Sequence, residues 1–211
     1  MGHIQDVNEH TGHALWRRMA RTILPGAVRQ RLGTWYGELG IARLPDRVHL
    51  ERTLIPAVAQ HVDKVLLIGC RPYTKHYPAL FGVYGAECWT IDIDPAAARW
   101  GAPGRHITGA VQHAQYYLPA LRFDGIVLNG VFGFGLNSVS DQDAALRACR
   151  LLLKSHGWLI LGWNTDRCID PSGLPVLQSS FRASSLPGMA LRRTFAESTH
   201  VFDIFTAVEV E

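Results

Sequence analysis

The stretch Lys64–Pro95, KVLLIGCRPYTKHYPALFGVYGAECWTIDIDP, decides the fold. It opens with the apolar run Val65-Leu66-Leu67-Ile68, which stops at Gly69, and closes with Cys88-Trp89-Thr90-Ile91, which stops at Asp92. Between them lie a loop with Pro72 and a helix-length segment carrying Tyr77, Leu80, Phe81 and Val83. Short continuous apolar runs alternating with a helix read as buried parallel strands of a βαβ unit. Such units bind ligands at the carboxyl ends of their strands, where the first loop meets the helix start. Gly69 admits close backbone approach, and Asp92 ends the second strand with a carboxylate suited to the vicinal hydroxyls of a ribose. This is the first half of a nucleoside-binding site.

Working outward, 211 residues suffice for one well-cored domain and a short extension. An apolar fraction of 47% with 18% charged residues belongs to a globular chain rather than a disordered one. A net charge of +3 is too mild to demand a nucleic-acid partner. Cys70, Cys88, Cys149 and Cys168 form no CxxC pair, which points to a reducing compartment and free thiols. No apolar run approaches the ~18 residues of a membrane span, and the polar start MGHIQDVNEHTGH is no secretory signal. The expected location is cytoplasmic. The ten histidines form no ligand pattern, so no metal is expected, and the absence of GxSxG argues against a Ser/His/Asp hydrolase.

Upstream, residues 1–45 read as a helical extension. Ala14–Leu32 carries five arginines and no acid, with Leu15, Met19, Ile23 and Leu24 on one stripe until Pro25-Gly26. It has three readings: a packing helix, a lid over the ligand site, or a weak membrane-surface anchor. Pairing with a second chain in a homodimer is a further open role. A helix over Asp46–His61 leads into the first strand, with Pro56 kinking it or starting it afresh. Downstream, Asp94 and Pro95 suit an N-cap and first helical position, and His106–Thr108 is a third strand. Ala114–Leu121 is a loop or helical turn, Phe123–Asn129 a fourth strand, and Asp141–Leu153 a helix stopped by Gly157. Trp158–Asn164 is a fifth strand, Asp166–Ser185 a loop with a short helix, and Ala190–Ala196 with His200–Glu209 an antiparallel pair. The fold expected is α/β: a doubly wound, mostly parallel, Rossmann-like sheet with a C-terminal antiparallel strand, over residues 46–211.

This order of elements resembles the class I S-adenosylmethionine-dependent methyltransferases. VLLIGC is similar to that superfamily's first glycine-loop strand, TIDIDP to its second strand, and FDGIVLNGVFGFG to its fourth. LLLKSHGWLILGWN resembles the helix, turn and fifth strand that follow, and RRTF with HVFDIFTAVEV the reversed last strand. No GxGxxG follows the first strand, which disfavours a dinucleotide fold. Two departures stand out. The loop after Gly69 reads Cys-Arg-Pro-Tyr-Thr instead of carrying further glycines, and Gly109-Ala110-Val111 lacks the acid that often meets the adenine amino group.

The resemblance implies S-adenosylmethionine as cofactor, in contact with Gly69, Cys70, Arg71, Thr74, Asp92, Ile93, Val111, Gln112, Asn129 and Gly130. The methionine carboxylate then meets Arg71 or Thr74, and the adenine meets backbone near Val111 or the Gln112 side chain. Tyr73, His76 and Asn129 are the candidate catalytic residues, as a proton acceptor or through a held water. Phe132, Phe134, Asn137 and Trp163 are candidates for the substrate wall, aromatic faces being suited to a sulfonium. The expected activity is methylation of a small molecule. Two alternatives remain: S-adenosylmethionine itself as the substrate, with release of methylthioadenosine, or a non-catalytic ligand-binding domain. A flipped-base methyltransferase is weaker, because the fourth strand lacks the Asn/Asp-Pro-Pro-aromatic pattern.

Overall fold

The computed structural model describes residues 43–209. The arginine-rich helices expected upstream, with their lid, anchor and dimer readings, lie outside the described residues. From Pro45 the chain enters α1 (Pro45–His49), passes through a π-helical turn over Leu50–Leu54 and continues as α2 (Ile55–Ala59). The turn answers the question posed by Pro56. Proline has no N–H for the carbonyl four residues earlier, and the neighbouring Ile55 N–H reaches back five residues to the Leu50 carbonyl.

Five parallel strands follow: β1 (Lys64–Ile68), β2 (Glu87–Asp92), β3 (His106–Thr108), β4 (Phe123–Asn129) and β5 (Leu153–Asn164), of which β1, β4 and the second half of β5 are apolar runs with both faces covered. Then come β6 (Phe181–Ala183), β7 (Arg192–Phe195) and β8 (Ser198–Ala207). The sheet order is 3-2-1-4-5-8-6, with β7 sharing the outer edge of β8. β8 runs antiparallel to β5, β6 and β7, which gives the expected reversed strand. The reversal of order beside β1 opens the crevice in which such sheets hold ligands.

Between strands stand α3 (Tyr77–Val83), α4 (Ala114–Tyr117), α5 (Val139–Leu152) and α6 (Pro175–Ser180). One face of the sheet packs Leu66, Ile126, Leu128, Leu159 and Leu161 against Ala145, Leu146 and Cys149 of α5. The other packs Val65, Leu67, Val127 and Ile160 against Leu50, Leu54, Ile55, Tyr77 and Phe81.

Several local expectations are corrected. Val83 is exposed, because the short α3 turns only Tyr77 and Phe81 fully into the core. The helix α5 starts at Val139, where the Ser138 hydroxyl accepts the Asp141 N–H at 3.1 Å, and ends at Leu152. Gly157 lies inside β5 instead of stopping that helix, since a Cβ there would meet the Lys154 carbonyl oxygen at 3.0 Å and that of Asp124 at 3.2 Å. The Pro/Gly/Ser-rich stretch also holds a strand, β6, which three residues of apolar patterning were too short to signal.

Candidate active site

At the carboxyl ends of β1 and β4 the sheet opens into a cleft of about 370 Å³ of empty space, part of it open to solvent. Its lining includes Arg47, Gly69, Arg71, Tyr73, Thr74, Tyr77, Asn129 and Gly130. Gly69 turns the chain with φ +92°, and a Cβ there would press on Val131 Cγ1 at 3.3 Å. The tight approach explains why glycine stands at this strand end.

The 94%-buried carboxylate of Asp92 binds the loop to the second strand. Its Oδ2 accepts the Cys70 N–H at 2.7 Å and Arg71 Nη1 at 3.0 Å, and its Oδ1 accepts the Asp94 N–H at 2.8 Å. Three of about four acceptor positions are thus occupied. Arg71 bonds Asp92 rather than standing free toward the cleft, and its Nη1 also donates to the Cys70 carbonyl at 2.7 Å. Thr74 Oγ1 accepts the Arg71 N–H and donates to the Arg71 carbonyl, both at 3.0 Å, which fixes the loop. Burial pushes the Cys70 thiol up to about 11, so it sits here as a neutral apolar filler. Beyond Asp92, Ile93 is 71% exposed, an apolar face beside the strand end. Val111 packs in the core and Gln112 is half-buried, on a 3₁₀ turn after β3.

Across the cleft, Asn129 ends β4 and Gly130 turns away with φ +65°. The Asn129 amide contacts His200 Nε2 at 3.0 Å, reaching from β4 over Gly162 of β5 to β8. His200 Nδ1 lies 3.0 Å from the Asn164 amide, Asn164 Nδ2 donates to Thr199 Oγ1 at 2.9 Å, and the Thr199 hydroxyl donates to Asp166 at 2.7 Å. Burial, helped by the nearby Arg47 charge and opposed by Asp46, pulls the His200 imidazole down to about 4, so it is neutral at pH 7.

The helix α1 contributes an unexpected pair. Arg47 lies over the Tyr73 ring at 5.1 Å, and its Nε, 3.5 Å from Asp46, has no hydrogen-bond partner. Tyr77 OH is buried with no hydrogen bond of ordinary geometry, and burial, opposed by Arg47 and reinforced by the nearby Glu51 carboxylate, raises its phenol above the ordinary range, which leaves it protonated. Both groups line the cleft. Unpaired buried polar groups are costly and suggest a missing ligand.

Four expected site residues stand elsewhere. His76 is exposed, 3.3 Å from Glu51, and edges onto Tyr77 behind the cleft wall. Phe132 is fully buried in the core beneath the sheet, because the turn Val131–Leu136 folds its ring inward. Trp163 is 3% exposed on the face away from the cleft, with its Nε1 donating to Asp203 at 2.8 Å. Asn137 serves its own loop, accepting the Gly135 N–H at 3.3 Å. Phe134 remains 51% exposed with Arg167 over its ring at 5.3 Å. The residues missed were Arg47, Tyr77, Asn164 and His200. Asn164 stood at a strand end in plain view, but a histidine in an alternating strand and an arginine in an amphipathic helix carry no local signal.

No protein-family model and no curated protein matches the sequence. Solved structures do match the fold. The N-methyltransferase NodS from Bradyrhizobium japonicum WM9 aligns with TM-score 0.59 and 16% identity over 80% of this chain and 99% of its own. Its complex with S-adenosyl-L-homocysteine gives TM-score 0.61 and 15% identity over 79% and 90%. A TehB-like SAM-dependent methyltransferase from Corynebacterium glutamicum gives TM-score 0.62 and 20% identity over 87% and 100%. The Methanococcus jannaschii fibrillarin pre-rRNA processing protein gives TM-score 0.52 and 14% identity over 71% and 68%. The chain has the Rossmann-like fold of the class I methyltransferases.

Proposed function

We propose that this protein is an S-adenosylmethionine-dependent methyltransferase that acts on a small molecule. One observation carries the reading. The carboxyl-end cleft is lined by Gly69, where a Cβ would crowd Val131, and by Arg47 and Tyr77, whose Nε and OH lack hydrogen-bond partners, and its loop is tied to the strand-end carboxylate of Asp92. This donor set fits the proposed cofactor. Asp92 retains acceptor capacity on Oδ1 for a ribose hydroxyl, the exposed Ile93 offers an apolar face to the adenine, and Arg47 with Tyr77 suits the amino-acid carboxylate. When bound, S-adenosylmethionine would supply an electrophilic methyl group on a cationic sulfur. The chain's own part is to hold and orient. Arg71 and Thr74 stiffen the loop, and Tyr73 under Arg47 and Asn129 shape the reacting end. The NodS complex with S-adenosyl-L-homocysteine and the N-methyltransferase activity in that protein's name support the cofactor by analogy of fold.

The test is calorimetry of S-adenosylmethionine binding to the wild type and to Asp92→Asn, followed by mass identification of the nucleoside product with and without nucleophiles. Asp92→Asn is expected to weaken binding at least tenfold, about 1.4 kcal/mol. Unchanged affinity would overturn the site. Adenosylhomocysteine formed only with an acceptor supports methyl transfer, whereas methylthioadenosine formed without one makes the cofactor itself the substrate.

A further inference from the structure

We propose that the chain Asp166–Thr199–Asn164–His200 locks the side-chain amide of Asn129 with its carbonyl oxygen turned into the cleft, so that the site selects an acceptor that donates a hydrogen bond, an amine or a hydroxyl. The inference deepens the methyltransferase reading and rests on it for the word acceptor.

The argument is one of counting protons. Both ring nitrogens of His200 face an amide atom placed as oxygen, Asn164 Oδ1 at Nδ1 and Asn129 Oδ1 at Nε2, at 3.0 Å each. Two carbonyl oxygens there would need an imidazolium with two N–H groups, yet the ring is 1% exposed and lies in the field of Arg47, only partly offset by Asp46. A neutral imidazole has one N–H, so one amide must present its NH₂ group. Asn164 is not free to do so. The Asp166 carboxylate accepts the Thr199 hydroxyl proton, so Thr199 Oγ1 must accept from Asn164 Nδ2, which leaves the Asn164 carbonyl facing His200 Nδ1. The ring proton therefore sits on Nδ1, and Nε2 accepts from the Asn129 NH₂ group. The two ends of an amide have nearly the same shape, so proton counting exchanges the Asn129 oxygen and nitrogen relative to their placed positions and turns the carbonyl away from His200, at a residue that lines the cleft.

The fold makes room for this arrangement at one position. Gly162 pairs with Asn129 on one side and with Phe202 on the other, and a Cβ on it would stand 2.0 Å from the Asn129 amide and 2.9 Å from His200 Nε2. The His200 ring is also held edge-on to Phe202, with centroids 4.6 Å apart.

The test is the long-range ¹H–¹⁵N spectrum of the full chain at pH 7, with His200 assigned through His200→Gln. A neutral ring protonated on Nδ1 is the expected result. The Nε2–H tautomer, or an imidazolium, would turn the Asn129 NH₂ group into the cleft and overturn the proposal. Asn129→Asp, which offers only acceptors, should move the ring proton to Nε2 or charge the ring, a change that packing alone would not cause. An unmoved spectrum counts against the coupling. With S-adenosylmethionine present, an amine or alcohol should be methylated and Asn129→Leu should lower kcat at least tenfold, while carboxylate methylation alone would refute the selection. Absence of turnover with every acceptor class counts against the methyltransferase reading, and the tautomer then still decides the orientation of Asn129.

Discussion

Strand β8 carries two buried polar networks on its opposite faces, and they end differently. Asp203 faces away from the cleft, and its partners all lie within the sheet and its edge. It accepts Trp163 Nε1 at 2.8 Å and Arg192 at 2.6 and 3.0 Å, while Arg192 also grips Asp170 at 2.7 and 3.0 Å. His200 faces the other way, and its chain of bonds ends at an Asn129 amide with one end open to the cleft. A network whose members all find partners within the protein holds a fold together, whereas one that ends on a cleft-lining residue presents something. This separates Trp163, an anchor of the sheet, from Asn129, a member of the site, although both lie near the ends of neighbouring strands.

Breaking the closed network should have the largest effect. Asp203→Ala leaves Trp163 Nε1 unpaired in the core and strips Arg192 of one partner. The expected loss is about 3 kcal/mol in urea denaturation, the low end for a broken buried pair because the Arg192 side chain is 40% exposed. Ligand affinity should hold in the folded fraction, and a stability change below about 1 kcal/mol would dissolve the contrast. Gly162→Ala attacks the open network. The new methyl must displace the Asn129 side chain, for an expected overpacking cost of about 1–3 kcal/mol and a shifted His200 imidazole resonance. An unchanged resonance would show that the two side chains do not meet.

Acid should separate the networks by pH. The folded His200 pKa of about 4 lies below the ordinary histidine value of 6.5, so between these limits the unfolded chain binds the extra proton. The stability of the neutral ring is complete above pH 6.5 and is lost as pH falls toward 4, by up to about 3 kcal/mol. His49 and His106 are lowered too, so the part that vanishes in His200→Gln is the part to compare. The Asp170–Arg192 pair behaves otherwise. Hydrogen bonds from Arg192, against a smaller burial effect, hold Asp170 down to about 2, so its stabilisation persists until pH falls from 3.8 toward 2. A single acid transition common to wild type and His200→Gln would contradict the separation.

What the sequence made legible follows from range. The strands β1, β2 and β4 are apolar runs because both faces are covered, and Gly69 and Asp92 mark where two of them end, Gly69 on the cleft itself. These are local facts. The polar half of the site is built from contacts that span the chain: Asn129 with His200 across 71 positions, and Asn164 with His200 across 36. Arg47 has the pattern of a solvent-facing helical charge and becomes a cleft residue only where its helix meets Tyr73. Phe132 and Trp163 were misplaced for the converse reason. A strand end near the crevice does not say which face a ring takes, and alternation put Trp163 on the face opposite Asn164.

The π-helical turn over Leu50–Leu54 bears on how such a cleft changes between relatives. One residue added to a helix rotates everything before it by about 100°. The direction of Arg47 is thus encoded in the count of residues between Leu50 and Pro56 as well as in the identity of position 47. Shortening that interval by one residue would restore regular winding and swing the guanidinium off the Tyr73 ring without altering a single lining side chain. Related chains could gain or shed this cation by a one-codon deletion, a change in length that a comparison of aligned residue types would not register.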